Sequence, residues 1–422
     1  MMLAGFSDVD ITPPLGTLKI GWIKQIVSDQ VLDPIRARIV VLESSGVQIG
    51  IIQIDTLSLG WNEVNDLRRR ISLQHGFPGQ AIMVTATHNH AGPAVCNCGD
   101  VPKDEAYTEW MKEEVVAGFG RALAAREEAL VGSGSAYEWG ISFNRRVVMR
   151  DGTTKTHGSF ANADALYVEG PIDPEVGVIA VRSARTGDLL GAIVNFTCHP
   201  THHGGTTEIS AGYPGVLANR CRELGCPVTL FLNGACGNIG FSDTTGRCAS
   251  PSKEEMGDAL AEDVEGVLAA VDFNPDLILS SAVRTLELPF RQVTEDEVRG
   301  TVRGAQRFID SALYDSGMPT LLEKIRKRGK QLAEVQALRI GDWTLVSIPA
   351  EFFVELGLQI KEATWPLHTL VSSCSNGMVG YVPTKDAFKR GGYETTFGFG
   401  YKLAPEAGDM LVSAAIELVQ SA

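Results

Sequence analysis

Apolar positions along the chain gather into short runs that end abruptly at polar or glycine-rich tips. Residues 37–42 and Val47–Ile54 are two such runs, separated by Glu43-Ser44-Ser45-Gly46, and this spacing predicts a hairpin of buried strands. The device recurs at 177–183 and 189–196, joined through Thr186-Gly187-Asp188, and at 335–340 and 343–348 across Gly341-Asp342. Shorter runs at 81–84, 228–232 and 369–373 read as single buried strands, and 132–143 and 277–288 as further strands. Between them, three-four spacing of apolar residues predicts helices over 62–73, 105–126, 214–223, 352–363 and 410–420. A further helix over 252–270 opens on Ser252-x-x-Glu255, a capping-box pattern.

Three segments stand apart from this rhythm. Residues 8–16 read as an extended, turn-rich lead-in. The polar, glycine-rich stretch 147–168 reads as a surface loop lying over the site. Residues 294–332 are charged and helix-forming, and Gly317-Met318-Pro319 is expected to break them into a helical pair outside the sheets, a helical excursion of about 292–334. With no repeat, linker or composition break, one domain over 1–422 is expected. Its fold class is α/β (mixed α+β), with layered mixed sheets flanked by helices.

Charge and composition narrow the function classes. A net charge of −14 argues against nucleic acid and anionic membrane surfaces as partners, and no apolar run reaches the length of a membrane span. The N-terminus carries no secretory pattern, and the eight cysteines follow no disulfide framework, so a cytoplasmic protein with reduced thiols is expected. Cys96 and Cys98 are read as loop thiols rather than soft metal donors.

The candidate chemistry lies at strand tips. The run at 81–84 ends in Thr87-His88-Asn89-His90-Ala91-Gly92-Pro93. Residues two apart on a strand share a face, so both imidazoles are expected to leave the sheet edge on one side, as half of a metal site or as loop-satisfied polar groups. The run at 189–196 leads to His199, and that at 343–348 to Glu351. A fourth apolar segment leads to Tyr381. Two histidines and a carboxylate with an open position form a recurring catalytic zinc set. The loop Asn233-Gly234-Ala235-Cys236-Gly237-Asn238-Ile239-Gly240 has two readings: backbone N–H groups aimed at an oxyanion, or a turn needing positive φ. Asp55 is read either as an orienter of a ligand imidazole or as a turn residue. Arg146 is taken as solvated, and His202 and His203 as pocket-lining or loop residues. His75, His157 and His368 receive no role.

Over nearly its whole length the chain resembles the neutral/alkaline ceramidase family. The family's Ala-Asp-Ile-Thr element is similar to Val9-Asp10-Ile11-Thr12, and its Thr-His-Thr-His-Ser-Gly-Pro motif to 87–93. Its Asn-Arg element matches Asn144-Arg145, and its His-Pro-Thr setting matches His199-Pro200-Thr201. Its Ile-Pro-Gly-Glu-Phe motif resembles Ile348-Pro349-Ala350-Glu351-Phe352. Tyr381-Val382-Pro383-Thr384 and Tyr393-Glu394 resemble its Tyr-Val-Thr-Thr and Tyr-Glu stretches.

The resemblance implies Zn2+ held by His88, His199, Glu351 and Tyr381. It implies His90, Arg145 and Tyr393 as substrate-polarising or proton-handling groups, and hydrolysis of an amide by water activated on the metal. Where the family reads Gly-Asp-Val-Ser-Pro-Asn, this chain has Gly237-Asn238-Ile239-Gly240-Phe241, so glycine replaces the active-site serine and Ser242 lies two residues later. The family's C-terminal immunoglobulin-like domain and signal segment are not expected. The resulting expectation is a zinc-dependent hydrolase cutting an amide or ester of a small, soluble substrate without stable membrane association. The alternatives are a catalytically silent binding homologue and a hydrolase of lactone or glycosidic bonds.

Overall fold

The structure, a computed structural model, describes residues 2–275, 277–308 and 311–421. Its larger sheet contains β1 (Met2–Asp10), β2 (Arg36–Ser44), β3 (Val47–Ile54), β4 (Ile82–Ala86), β5 (Glu127–Tyr137), β6 (Glu175–Ser183), β7 (Leu189–Phe196) and β8 (Thr229–Asn233). Their order is β8-β7-β6-β5-β1-β2-β3-β4. A second sheet runs β9 (Leu279–Pro289), β10 (Lys330–Ile340), β11 (Trp343–Ser347), β12 (His368–Ser372) in sequence order. The pairs β3/β4, β7/β8 and β11/β12 are parallel. Each completes the same arrangement: an antiparallel hairpin, a helix, then a strand parallel to the hairpin's second strand. The helices are α1 (Trp61–His75), α3 (Gly212–Glu223) and α6 (Val354–Thr364). The sequence carries no repeat, yet the architecture repeats three times, because a parallel strand needs a crossover and a helix supplies it.

Alternation along the strands explains the continuous apolar runs. Val40, Leu42, Ile49 and Ile51 point inward against Leu338, Ile340, Leu345 and Leu370 of the second sheet. Ile39, Val41, Ile52 and Ile54 point the other way, onto α1 and α2 (Glu105–Ala124). The β6–β8 half buries its outer face under α3 and α4 (Lys253–Ala270), and the second sheet packs under α6 and α7 (Ala407–Ser421). Sheet faces sheet, helices cover both outer surfaces, and both faces of most strands are apolar. The layered mixed-sheet expectation is met. The Ser252/Glu255 capping box forms with both reciprocal bonds.

Three expectations change. The lead-in expected over 8–16 holds for 11–16, but 8–10 end a strand, Met2–Asp10, in the interior of the large sheet, paired along its length to Arg36–Ser44. Small residues there (Ala4, Gly5, Ser7) blur the alternation; Gly5 lies so close to α2 that a Cβ would sit 2.1 Å from Ala122 O. The stretch 147–168 is no loop but a three-stranded sheet of Arg146–Met149, Thr154–Thr156 and Ala165–Val168, held by buried Val147, Val148 and Met149. The predicted helical pair is instead a short helix, Glu295–Arg299, followed by α5 (Ser311–Arg328), which runs through Pro319; residues 309 and 310 of that prediction, like Met1 and Ala422, lie outside the described residues. Tyr314, Met318 and Leu321 pack on Phe397, and Gly317 admits the Phe399 ring against the helix, so tertiary burial outweighs the proline's lost bond.

Candidate metal centre

Ends of all three hairpin units converge. His88 follows β4, His199 follows β7, and Glu351 follows β11 on a two-residue strand. That strand pairs in parallel with Tyr381–Val382, setting Glu351 directly beside Tyr381. The strand geometry expected through His88 does not persist. β4 ends at Ala86, and His88 adopts φ 66°, a left-handed turn that brings its ring to 4.9 Å from His90 in an edge-on pair.

Each of the three imidazoles spends Nδ1 on a backbone carbonyl. His88 Nδ1 is 2.8 Å from Leu57 O, His90 Nδ1 is 2.9 Å from Gly21 O, and His199 Nδ1 is 2.5 Å from Cys236 O and 3.1 Å from Ile239 O. A carbonyl only accepts, so each ring carries its proton on Nδ1 and presents the Nε2 lone pair inward. Nε2 of His88 and of His90 is buried without a hydrogen-bond partner. One ligand atom from each of the three rings falls within a span of 4.8 Å, and among the described residues this is the one group of three or more such side chains close enough to hold a metal.

Glu351 Oε2 lies 3.3 Å from both His88 Nε2 and His199 Nε2. Lone pairs facing a carboxylate oxygen at that distance repel unless a cation lies among them, so the residues present fit a divalent metal. Burial, reinforced by the other two rings, pushes His90 well below 6.5, and burial with the Arg145 charge lowers His199 to about 4. Neutral rings are what a metal requires.

Tyr381 Oη is 3.4 Å from His199 Nε2 and accepts from Arg145 Nη2 at 3.1 Å. Burial, reinforced by the Glu351 carboxylate and opposed by the Arg145 charge, pushes that phenol well above its ordinary value. Arg145 is fixed on every side: Nε donates to Glu394 Oε1 at 3.0 Å and Nη2 also to Gly237 O at 2.7 Å. Arg146, expected to be solvated, is fully buried; it pairs with Glu169 and donates to Glu394 Oε2 at 2.7 Å. Glu394 thus bridges two buried guanidiniums with no exposed surface, and Thr156 Oγ1 adds a donor at 2.5 Å. The Tyr393 ring stands 6.0 Å from that of Tyr381 and 4.9 Å from that of Tyr401.

The glycine-rich loop turns without the positive φ expected of it, and three of its amides are committed to carbonyls. The amides of Gly234, Gly237 and Ile239 bond to Phe196 O, Phe352 O and Cys236 O, and no residue from 233 to 240 has positive φ. Its carbonyls do the positioning: Cys236 and Ile239 hold His199, and Gly237 holds Arg145. Glycine is required for close approach, since a Cβ on Gly237 would stand 2.6 Å from Glu351 O. Gly240 differs, for a Cβ there meets only Arg145 Cδ, at 3.9 Å. Accordingly Gly240→Ser is expected to fold with an unchanged melting temperature, while Gly237→Ala loses about 1–3 kcal/mol in a urea titration.

Asp55 orients no imidazole. It is wholly buried, paired with Arg38 at 3.2 Å and accepting from Arg36 N at 2.8 Å. His202 stacks on Phe241 at 3.9 Å with Nε2 near Pro251 O, and His203 faces Glu208 at 3.9 Å, both apart from the cluster. Sequence reasoning gave no role to Glu394 or to Cys374, whose Sγ lies 3.4 Å from His88 Nδ1. The Tyr-Glu pair in the resemblance pointed to Glu394; nothing pointed to Cys374.

No family model and no curated protein matches the sequence. In structure, the chain matches a ceramidase complexed with C2 with a TM-score of 0.76 at 17% identity, over 99% of this chain and 74% of that one. It matches the neutral ceramidase from Pseudomonas aeruginosa with a TM-score of 0.75 at 19% identity, over 100% of this chain and 75% of that one. The fold is that of the neutral ceramidases.

Proposed function

We propose that this protein is a metal-dependent hydrolase that cuts the amide bond of a small molecule. The observation that carries the reading is the inward set of Nε2 lone pairs from His88, His90 and His199 around Glu351, each ring locked by a carbonyl at Nδ1. Imidazole and carboxylate donors suit zinc, with His88, His199, Glu351 and Tyr381 as the proposed holders. When bound, such an ion supplies Lewis acidity and lowers the pKa of its water toward neutrality.

The chain's own groups do the rest. Arg145, immobilised by Glu394 and Gly237, keeps a fixed positive charge beside the Tyr381 hydroxyl, where it stabilises charge developing on the amide oxygen. His90 is neutral and has a free Nε2 lone pair, so it accepts a proton from the attacking water and returns it to the leaving amine. Tyr393 flanks Tyr381 and closes the aromatic side of the site.

Because the structural neighbours are ceramidases, N-acyl lipids are assayed beside small soluble amides. Zinc-reconstituted protein is expected to release free amine from at least one of them, and a chelator to stop it. Turnover unchanged by chelation contradicts the reading. Metal should also stabilise the fold, by about 4 kcal/mol at a thousandfold excess over Kd. The thermal midpoint is therefore expected to rise with added zinc in the wild type and to stay fixed in Glu351→Gln.

A further inference from the structure

His90, the proposed proton acceptor, sits between two loops. On one side is a small hairpin of Leu18–Lys19 paired with Ile26–Val27, and its turn brings Gly21 O to 2.9 Å from His90 Nδ1. Gly21 adopts φ 116°, and a Cβ there would stand 2.7 Å from both Cα and Cβ of His90, so only a glycine backbone lies this close. On the other side is the turn 201–206. A Cβ on Gly204 would stand 3.0 Å from His90 Cβ, and His90 N donates to Pro200 O at 3.4 Å. Lys19 joins the two sides. It is 2% exposed, and its Nζ crosses from the hairpin to the turn, donating to His203 O at 2.8 Å and to Thr206 O at 2.6 Å. An ammonium is costly to take out of water unless its N–H groups are satisfied, so these two bonds hold the turn firmly to the hairpin. The Glu208 and Asp29 carboxylates favour its charge.

We infer that Lys19 is a positioning residue for His90: its ammonium clamps the turn 203–206 against the hairpin 18–27, which keeps Gly21 O on Nδ1 and leaves the Nε2 lone pair facing the metal centre. The inference rests on the reading of His90 as the group that accepts the proton of the attacking water. A neutral imidazole that loses the Gly21 carbonyl is free to carry its proton on Nε2, and in that tautomer Nε2 no longer accepts. The clamp therefore sets how much of the protein holds His90 in its working form. It is separable from the fold, because backbone bonds secure the same segments without Lys19. Ile20 N donates to Gly92 O at 3.0 Å, Asp29 N to Thr207 O at 3.2 Å, and Leu32 N to Ile209 O at 2.9 Å.

Lys19→Met in the zinc-loaded full chain separates positioning from a merely structural role. Nitrogen NMR of the labelled histidines, with the His90 signal assigned by its loss in His90→Gln, reads the tautomer directly. The wild type is expected to carry the His90 proton on Nδ1, and the variant to show a mixture of both tautomers. In the amide assay, kcat is expected to fall by about tenfold with KM unchanged. A merely structural lysine lowers the melting temperature alone, so a His90 signal still wholly protonated at Nδ1, or an unchanged kcat, overturns the inference. If the wild type hydrolyses no amide, the hydrolase reading fails by itself and the tautomer decides: a mixture in the variant supports the clamp, and an unchanged signal overturns it. Should Lys19→Met fail to fold, Lys19→Gln, which keeps one donor group, is read in the same way.

Discussion

Glu351→Gln is expected to lower zinc affinity by more than about 100-fold and to abolish amide turnover. Partners one shell further out are worth about 10–100-fold in affinity, and this carboxylate faces the donor atoms directly. Its Oε2 sits 3.3 Å from the Nε2 atoms of both His88 and His199. A glutamine keeps the shape but not the charge, and where its amide nitrogen turns inward it hydrogen-bonds the very lone pairs a cation needs. The folded structure survives, because the neighbouring strand pair Glu351–Phe352 with Tyr381–Val382 is held by backbone bonds. Equilibrium dialysis against zinc checks the affinity. Native affinity in the variant removes Glu351 from the metal set.

Glu394→Ala is expected to be the most destabilising single substitution, at about 3–5 kcal/mol, because it strands the two buried guanidiniums of Arg145 and Arg146. The same group sets an acid limit. Although burial opposes ionisation, Arg146 and Arg145 lower Glu394 from 4.5 to about 2 in the folded protein. A folded pKa below the unfolded one contributes stability that is complete above the unfolded value and is lost as pH falls from about 4.5 toward about 2. That contribution amounts to about 3 kcal/mol. Urea midpoints measured from pH 6 down to pH 2.5 should therefore fall more steeply in the wild type than in Glu394→Gln, whose side chain does not titrate. Arg145 would also lose its anchor in the variant, so any remaining turnover should show a reduced kcat. Parallel pH curves for the two proteins would show that the bridge is not the acid-sensitive element.

What was legible in the chain follows from which physical signals are local. Buried strands such as Ile49–Ile51 and hairpin turns such as Gly341-Asp342 announce themselves because periodicity and turn chemistry act over a few residues. The convergence of His88, His199 and Glu351 was readable as three apolar runs ending in metal donors. The left-handed turn at His88 was not, since no glycine marks it and the ring is held by Leu57 O from another segment. β1 was hidden because close packing on α2 selects small residues over alternating large ones. Arg146 looked like a surface cation, and only the fold brings Glu394 to it from 248 residues away. Carbonyl groups that lock a ring, like those of Gly21 and Cys236, carry no side-chain signature at all.

The most direct test of the metal centre is the zinc content per chain of wild type and Glu351→Gln, reconstituted side by side and desalted. One equivalent in the wild type and almost none in the variant is the predicted result. A wild type that retains no metal, or equal content in both proteins, would contradict it.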